Sequence, residues 1–199
     1  MRPEIVRLAL MQERRFRVHD KTRGLGWQTA DSEELLWGSF RHLNTLNAAC
    51  EVSPGDLATI LTSAVDLANI AVLLARNAGA YGVTGLSVPS SGPLFEASVR
   101  SEIAQLALEQ ERRFQRHDAT KGDSWKARSI EWILIDGYRV ADRLAAYVRE
   151  GSQDLHALLD AAADLANYAV MISHQCGALE LVASLEPCPE SERPETSGE

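Results

Sequence analysis

ALMQERRFRVHDKTRG at Ala9–Gly24 returns 98 residues later as ALEQERRFQRHDATKG at Ala107–Gly122. Farther along, DLANIAV at Asp66–Val72 answers to DLANYAV at Asp164–Val170 at the same offset. The register runs without a gap from Ile5–Tyr81 to Ile103–Leu179, with 31 identities in 77 pairs. A self-similarity of this length means one structural unit used twice. The predicted organisation is a first unit at 1–81, a linker at 82–99, a second unit at 100–185 and a tail at 186–199. The linker carries GVTGLSVPSSGP, whose Gly, Ser and Pro oppose regular structure. The tail PCPESERPETSGE has almost no apolar residues to bury and is expected to be disordered.

Each unit reads as three helices. In the first, Glu4–His19 and Glu102–His117, apolar residues such as Ile5, Leu8, Ala9 and Phe16 recur near the helical period. This helix is expected to stop at the His-Asp pair before Gly24 or Gly122. Ser32 and Ser129 are predicted N-caps of the second helix, which runs to about Cys50 and Arg149. Asp56 and Asp154 suit the positive end of the third, which closes at Gly79 and Gly177. The third helix is apolar on nearly every side, with Asp66 and Asn69, or Asp164 and Asn167, as interruptions. A helix apolar all round is a buried helix. No strand pattern competes, so the expected class is all-α, a helical bundle built from two tandem repeats.

With 199 residues, 45% of them apolar, the chain can build a sizeable core. A formal charge of −8 argues against general nucleic-acid binding, which wants a basic surface. Cys50, Cys176 and Cys188 are odd in number and lack C-x-x-C spacing, so neither a disulfide framework nor a zinc site is expected. Met1–Met11 is charged early and does not resemble a signal peptide. No stretch reads as the ~18 apolar residues of a membrane span. The expected setting is the cytoplasm, with no membrane and no nucleic-acid partner.

Asp66 with Asn69, and Asp164 with Asn167, stand three residues apart on one helix face. They read either as a metal or nucleotide site in the bundle core, or as a buried network with Arg14 and Arg15, or Arg112 and Arg113. His19-Asp20 and His117-Asp118 read either as part of a metal-dependent phosphohydrolase site or as a helix end with an Asx turn. Trp27 and Trp125 read either as base-stacking surfaces or as anchors of a loop on the bundle. No G-x-S-x-G and no phosphate-binding Gly-rich motif is present.

The second half, HDATKGDSWKARSIEWILIDGYRVADRLAAYV at His117–Val148 and DAAADLANYAVMI at Asp160–Ile172, resembles a phage-type subgroup of the MazG-like all-α nucleoside triphosphate pyrophosphohydrolases. The matching residues are Lys121, Gly122, Trp125, Ser129, Ile130, Glu131, Ile133 and Leu134, then Ala162–Ile172; the first half matches more weakly over Asp20–Leu74. The resemblance implies a helical unit that pairs into dimers, so two fused units imply a bundle with a pseudo-twofold axis. It also implies Mg²⁺ held by E-E-x-x-E on one helix and E-x-x-D on the next, where bound metal polarises phosphate and activates water.

The first motif falls on Arg139, Val140 and Arg143 in the second half, and on Arg41, His42 and Thr45 in the first. The second falls on Ala161 and Asp164, and on Ser63 and Asp66. One aspartate per half remains, and arginines beside it repel Mg²⁺. The leading expectation is a degenerate MazG-like protein with no cofactor. It binds a nucleotide or other anion without efficient hydrolysis, using Arg41, Asp66, Asn69, Arg139, Arg143, Asp164, Asn167, Trp27 and Trp125. The alternatives are a Mg²⁺ enzyme with a rebuilt site from Asp142, Asp160 and Asp164, or a structural or interaction protein whose pocket is filled. A protein partner or a homo-oligomer is compatible with each.

Overall fold

The computed structural model describes residues 1–83, 91–92 and 99–183. Most of the expected linker and all of the expected tail lie outside the described residues. Among the described residues seven α-helices follow in order: α1 Pro3–Arg23, α2 Ser32–Val52, α3 Leu57–Asn77, α4 Ser101–Lys121, α5 Ile130–Arg149, α6 Leu155–Gln175 and the short α7 Glu180–Ala183. Short 3-10 turns follow α1, α3 and α4, and no strand occurs among the described residues. The starts of α1, α2 and α3 and those of α4, α5 and α6 all differ by 98.

Local chemistry sets the helix ends. Pro3 opens α1, where its missing N–H costs nothing. Asp56 and Asp154 cap α3 and α6, each accepting from a backbone N–H three residues on. Two expectations need correction. The N-cap of α2 is Asp31, whose carboxylate accepts from the amides of Glu33 and Glu34, while Ser32 is the first helical residue. Ser129 does hold the cap position of α5, but its side chain makes no capping bond. The first helices also run past His19-Asp20 and His117-Asp118 to Gly24 and Gly122, whose φ values of 64° and 57° end them. A β-carbon penalises that left-handed backbone, so the glycine, and not the aspartate inside the last turn, sets the helix end.

Helices α3 and α6 form the centre. They pack on each other, α2 and α5 cover one flank, and α1 and α4 close the other. Leu67, Leu165, Ala68 and Ala166 are fully buried. Each such leucine contributes about 2–3 kcal/mol of burial. One continuous hydrophobic cluster takes residues from both halves. Both α3 and α6 are in fact long and apolar enough to cross a membrane by length and composition, contrary to the sequence expectation. In this fold 72% and 61% of those windows are buried in protein, as core helices are.

Helices α2 and α5 run antiparallel. Arg149 forks onto Glu33 at 2.9 and 3.0 Å, and Tyr138 donates to Asn44 at 2.5 Å. The crossing is close because Gly137 lies against Leu43. On the other flank the contacts between α1 and α4 are reciprocal. Arg2 reaches Glu111 and Asp118, and Arg100 reaches Glu13 and Asp20. Each arginine also lies over a phenylalanine, Arg2 on Phe114 at 4.7 Å and Arg100 on Phe16 at 4.8 Å. Every member of one set stands 98 residues from its counterpart in the other.

Candidate functional site

The two core aspartates are held by arginines of the first helix of their own half. Arg15 donates from Nε and Nη2 to the two oxygens of Asp66 at 2.9 and 3.0 Å. Arg113 does the same to Asp164, with Nη2 at 2.6 Å from Oδ2, and its Nη1 lies 2.8 Å from Asp160. Arg143 of α5 adds a further donor to Asp164 Oδ2 at 2.9 Å. Such forked pairs are the strongest geometry open to a guanidinium and a carboxylate. Burial alone would lower the pKa of Arg113, but the hydrogen bonds and charges of Asp164 and Asp160 raise it. Of the arginines named as candidate partners, Arg15 and Arg113 carry this role.

This arrangement does not suit Mg²⁺. A divalent ion needs several free oxygens in octahedral geometry, and both oxygens of Asp164 are already occupied by guanidinium groups. Asp160 joins the same cluster through Arg113. Asp142 does not; it lies exposed on α5, next to Arg143 in the chain. Among the described residues no group of three or more His, Cys, Asp or Glu side chains is placed to hold a metal. The rebuilt site from Asp142, Asp160 and Asp164 is therefore not assembled.

The proposed phosphate-binding arginines are also dispersed. Arg41 is exposed on α2, in a shallow groove with Trp37, Phe40 and Asn44. Arg139 turns to Asp136 at 3.0 Å, which Arg128 also meets at 2.5 Å. Only Arg143 reaches a core aspartate.

Trp27 and Trp125 serve as loop anchors. Trp27 packs on Phe16 with centroids 5.0 Å apart, donates to Asp20 at 2.7 Å, and has Arg76 and Arg100 over its ring. Trp125 is buried against Phe114 and His174. Neither offers a free face of the kind base stacking needs. The same bond shows what the His-Asp pair does in the first half: Asp20 joins a loop and a neighbouring helix to α1. Burial would raise the Asp20 pKa, yet hydrogen bonds from Arg100 and Trp27 hold it below the usual carboxylate value of 3.8.

Asn69 and Asn167 are buried at 7% and 4% exposure, and the Oδ1 of each lacks a hydrogen-bond partner among the described residues. Gln12 and Gln110, each three residues before an ion-pairing arginine, leave Nε2 unpartnered in the same way. Buried amides with spare donors and acceptors are costly and uncommon. Sequence reading passed over Gln12 and Gln110, although both are identical across the repeat. It also passed over Arg2 and Arg100, which repeat at the same offset.

A second feature lies in the second half. A groove of about 760 Å³ between α4 and α6 is lined by Glu109, Arg112, Arg116, His156 and Asp160, among others. The residues 98 earlier for Glu109, Arg116, His156 and Asp160 are Met11, Val18, Ala58 and Thr62. Four chemically plain positions have thus become titratable in one copy. Burial raises the pKa of Glu109, with Asp160 adding to it, while Arg116, Arg112 and Arg113 oppose the rise. Arg116 meets Glu109 at 2.8 Å.

Comparison with known proteins adds no name to this geometry: no family model, curated protein or solved structure matches the chain.

Proposed function

We propose that this chain is a non-hydrolysing protein of MazG-like helical architecture, two fused units about a pseudo-twofold axis, that works as an interaction scaffold in the cytoplasm. The observation that carries this reading is the closure of Asp164 by Arg113 and Arg143. A family carboxylate that would hold Mg²⁺ is spent on an ion pair, and a residue standing where the family has glutamate supplies one of the donors. The reciprocal Arg2 and Arg100 contacts support the pseudo-twofold reading, since each half gives the other what it receives. The test is pyrophosphate release from the common nucleoside triphosphates with Mg²⁺ or Mn²⁺. No turnover above the protein-free rate is expected. Robust turnover that vanishes in a folded Asp164→Asn variant would overturn the proposal.

A second reading, binding of a nucleotide or other anion without cleavage, is favoured by the groove with Arg112, Arg116 and His156. Its acids temper that attraction, because Glu109 already engages both arginines. Calorimetric titration with inorganic pyrophosphate and with a nucleoside triphosphate tests it. Saturable binding abolished by Arg112→Ala with Arg116→Ala would establish an anion site there, and no heat from either anion would leave the scaffold reading.

A further inference from the structure

Cys50 lies in the last turn of α2, and Cys176 caps the C-terminus of α6. The first belongs to the first half of the chain and the second to the second half, 126 residues apart in sequence. Their sulfurs stand 3.6 Å apart, and both side chains are half-buried free thiols. Spacing along the chain gave no hint of this pair, since three cysteines without a motif predict nothing; the tertiary fold brings the C-terminal ends of α2 and α6 together. Neither cysteine follows the repeat. The residues that match Cys50 and Cys176 at the offset of 98 are Val148 and Ala78. The duplicated unit folds with aliphatic residues at both positions, so packing alone does not call for thiols. One junction between the halves nevertheless has a thiol on each side.

We propose that Cys50 and Cys176 form a reversible disulfide that clamps the two halves of the molecule when the chain meets a peroxide. The proposal is independent of the non-hydrolysing reading. The sulfurs are roughly 1.5 Å farther apart than the bond they would make, a distance that side-chain rotation can close. The two thiols are not equivalent. A hydrogen bond from Cys50 lowers the pKa of Cys176, while that same bond, burial and the charge of Glu51 push Cys50 up. The proposal accordingly assigns the first attack to Cys176.

The chemistry balances with hydrogen peroxide as oxidant. The Cys176 thiolate attacks one peroxide oxygen, the O–O bond breaks, and hydroxide leaves to be protonated to water. Cys176 is then a sulfenic acid. The Cys50 sulfur attacks that sulfur and expels the hydroxyl as a second water. Two thiols have lost two electrons and two protons, and one peroxide has become two waters. Reduction by a dithiol reverses the step. In a reducing compartment such a bond is a response rather than a fixture.

The third thiol, Cys188, lies outside the described residues, so the experiment uses the full chain carrying Cys188→Ser. The protein is treated with stoichiometric hydrogen peroxide, then alkylated, digested and mapped by mass spectrometry, with thermal melts before and after. The expected result is loss of both free thiols, a linked peptide pair containing Cys50 and Cys176, and a melting temperature higher by at least about 5 °C. Dithiothreitol should restore the starting state. Cys50→Val with Cys176→Ala, residues the repeat already accommodates, should melt normally and not respond to peroxide. Sulfinic acid on either cysteine without the linked peptide would overturn the proposal. So would a linked peptide that leaves the melting temperature unchanged, because the bond would then clamp nothing.

Discussion

Arg113 lays its guanidinium across both oxygens of Asp164, and Arg15 repeats that geometry on Asp66 in the other half. Two aspartates that could have been ligands are instead parts of the frame. The two pairs differ in depth. Arg113 is 15% exposed and Arg15 37%, and Asp164 has Arg143 as a second partner.

Removing Asp164 should therefore cost more than removing Asp66. Asp164→Ala leaves Arg113 half-buried without its main partner and should lower stability by about 2–4 kcal/mol. Asp66→Ala should cost about 1–2 kcal/mol, because the more exposed Arg15 can turn to water. Urea melts of the two variants check the order. Equal losses would mean that burial does not set the cost. Replacing both partners, Arg113→Met with Asp164→Leu, should recover most of the stability, since the buried charge disappears with its partner.

Arg100 should be hard to replace, because its side chain is only 20% exposed. It meets Asp20 at 2.5 Å and Glu13 at 3.4 Å, and lies over Phe16 and Trp27. Glu13 is only 7% exposed, so the Arg100→Ala variant leaves a buried carboxylate with a weaker set of partners. The expected loss is about 2–4 kcal/mol. Arg100→Lys keeps the charge but not the planar fork and should recover less than half of it. Thermal melts of the two variants decide whether charge or shape matters more.

His42 gives the fold a sensitivity to mild acid. Burial is the largest influence and lowers its pKa below the ordinary 6.5; Asp66 opposes this, and Arg41 and Arg15 add to it. The folded protein holds the imidazole neutral, whereas the unfolded chain takes up a proton once the pH falls below about 6.5. Stability from this group is present above that pH and is lost as the pH falls toward the lower folded value. His42→Leu should flatten that part of the stability profile. Chemical melts between pH 7.5 and pH 5 (a range chosen to span the ordinary value, about 6.5) would refute this if both proteins fell in parallel.

Gly137 lies where α5 packs against Leu43 of α2. A β-carbon there would lie 3.2 Å from the end of Leu43 and 3.8 Å from Tyr168 Cβ. Gly137→Ala should be near neutral, because a gain of about 1 kcal/mol in helix propensity offsets a small shift of Leu43. Gly137→Val adds bulk that the crossing cannot take and should cost about 1–3 kcal/mol. Melting temperatures of the two variants should separate accordingly.

The helices were legible because their causes are local. The period of apolar residues, the aspartates before Leu57 and Leu155, and the glycines after α1 and α4 act within a turn or two of the backbone. The repeat added a second, independent copy of each signal. The candidate site was half legible. Arg15 and Arg113 stood among the named partners of Asp66 and Asp164, but nothing in the spacing said that Arg139 would turn to Asp136 while Arg143 turned to Asp164. An arginine is long enough to reach several neighbours, so the helix that packs beside it selects the partner.

The sequence by itself determined the all-α class, the approximate course of the helices and the burial of α3 and α6. Those follow from periodicity and caps, which short-range physics enforces wherever the segment ends up. Tertiary structure alone decided that Arg2 grips Glu111 while Arg100 grips Glu13, that both core aspartates are closed by guanidinium groups, and that Cys50 meets Cys176. Apart from Arg143 on Asp164, which are 21 positions apart, each of those contacts joins residues more than fifty positions apart in the chain. Their distance is set by how helices pack on one another, a choice the shared apolar core makes and no local pattern records.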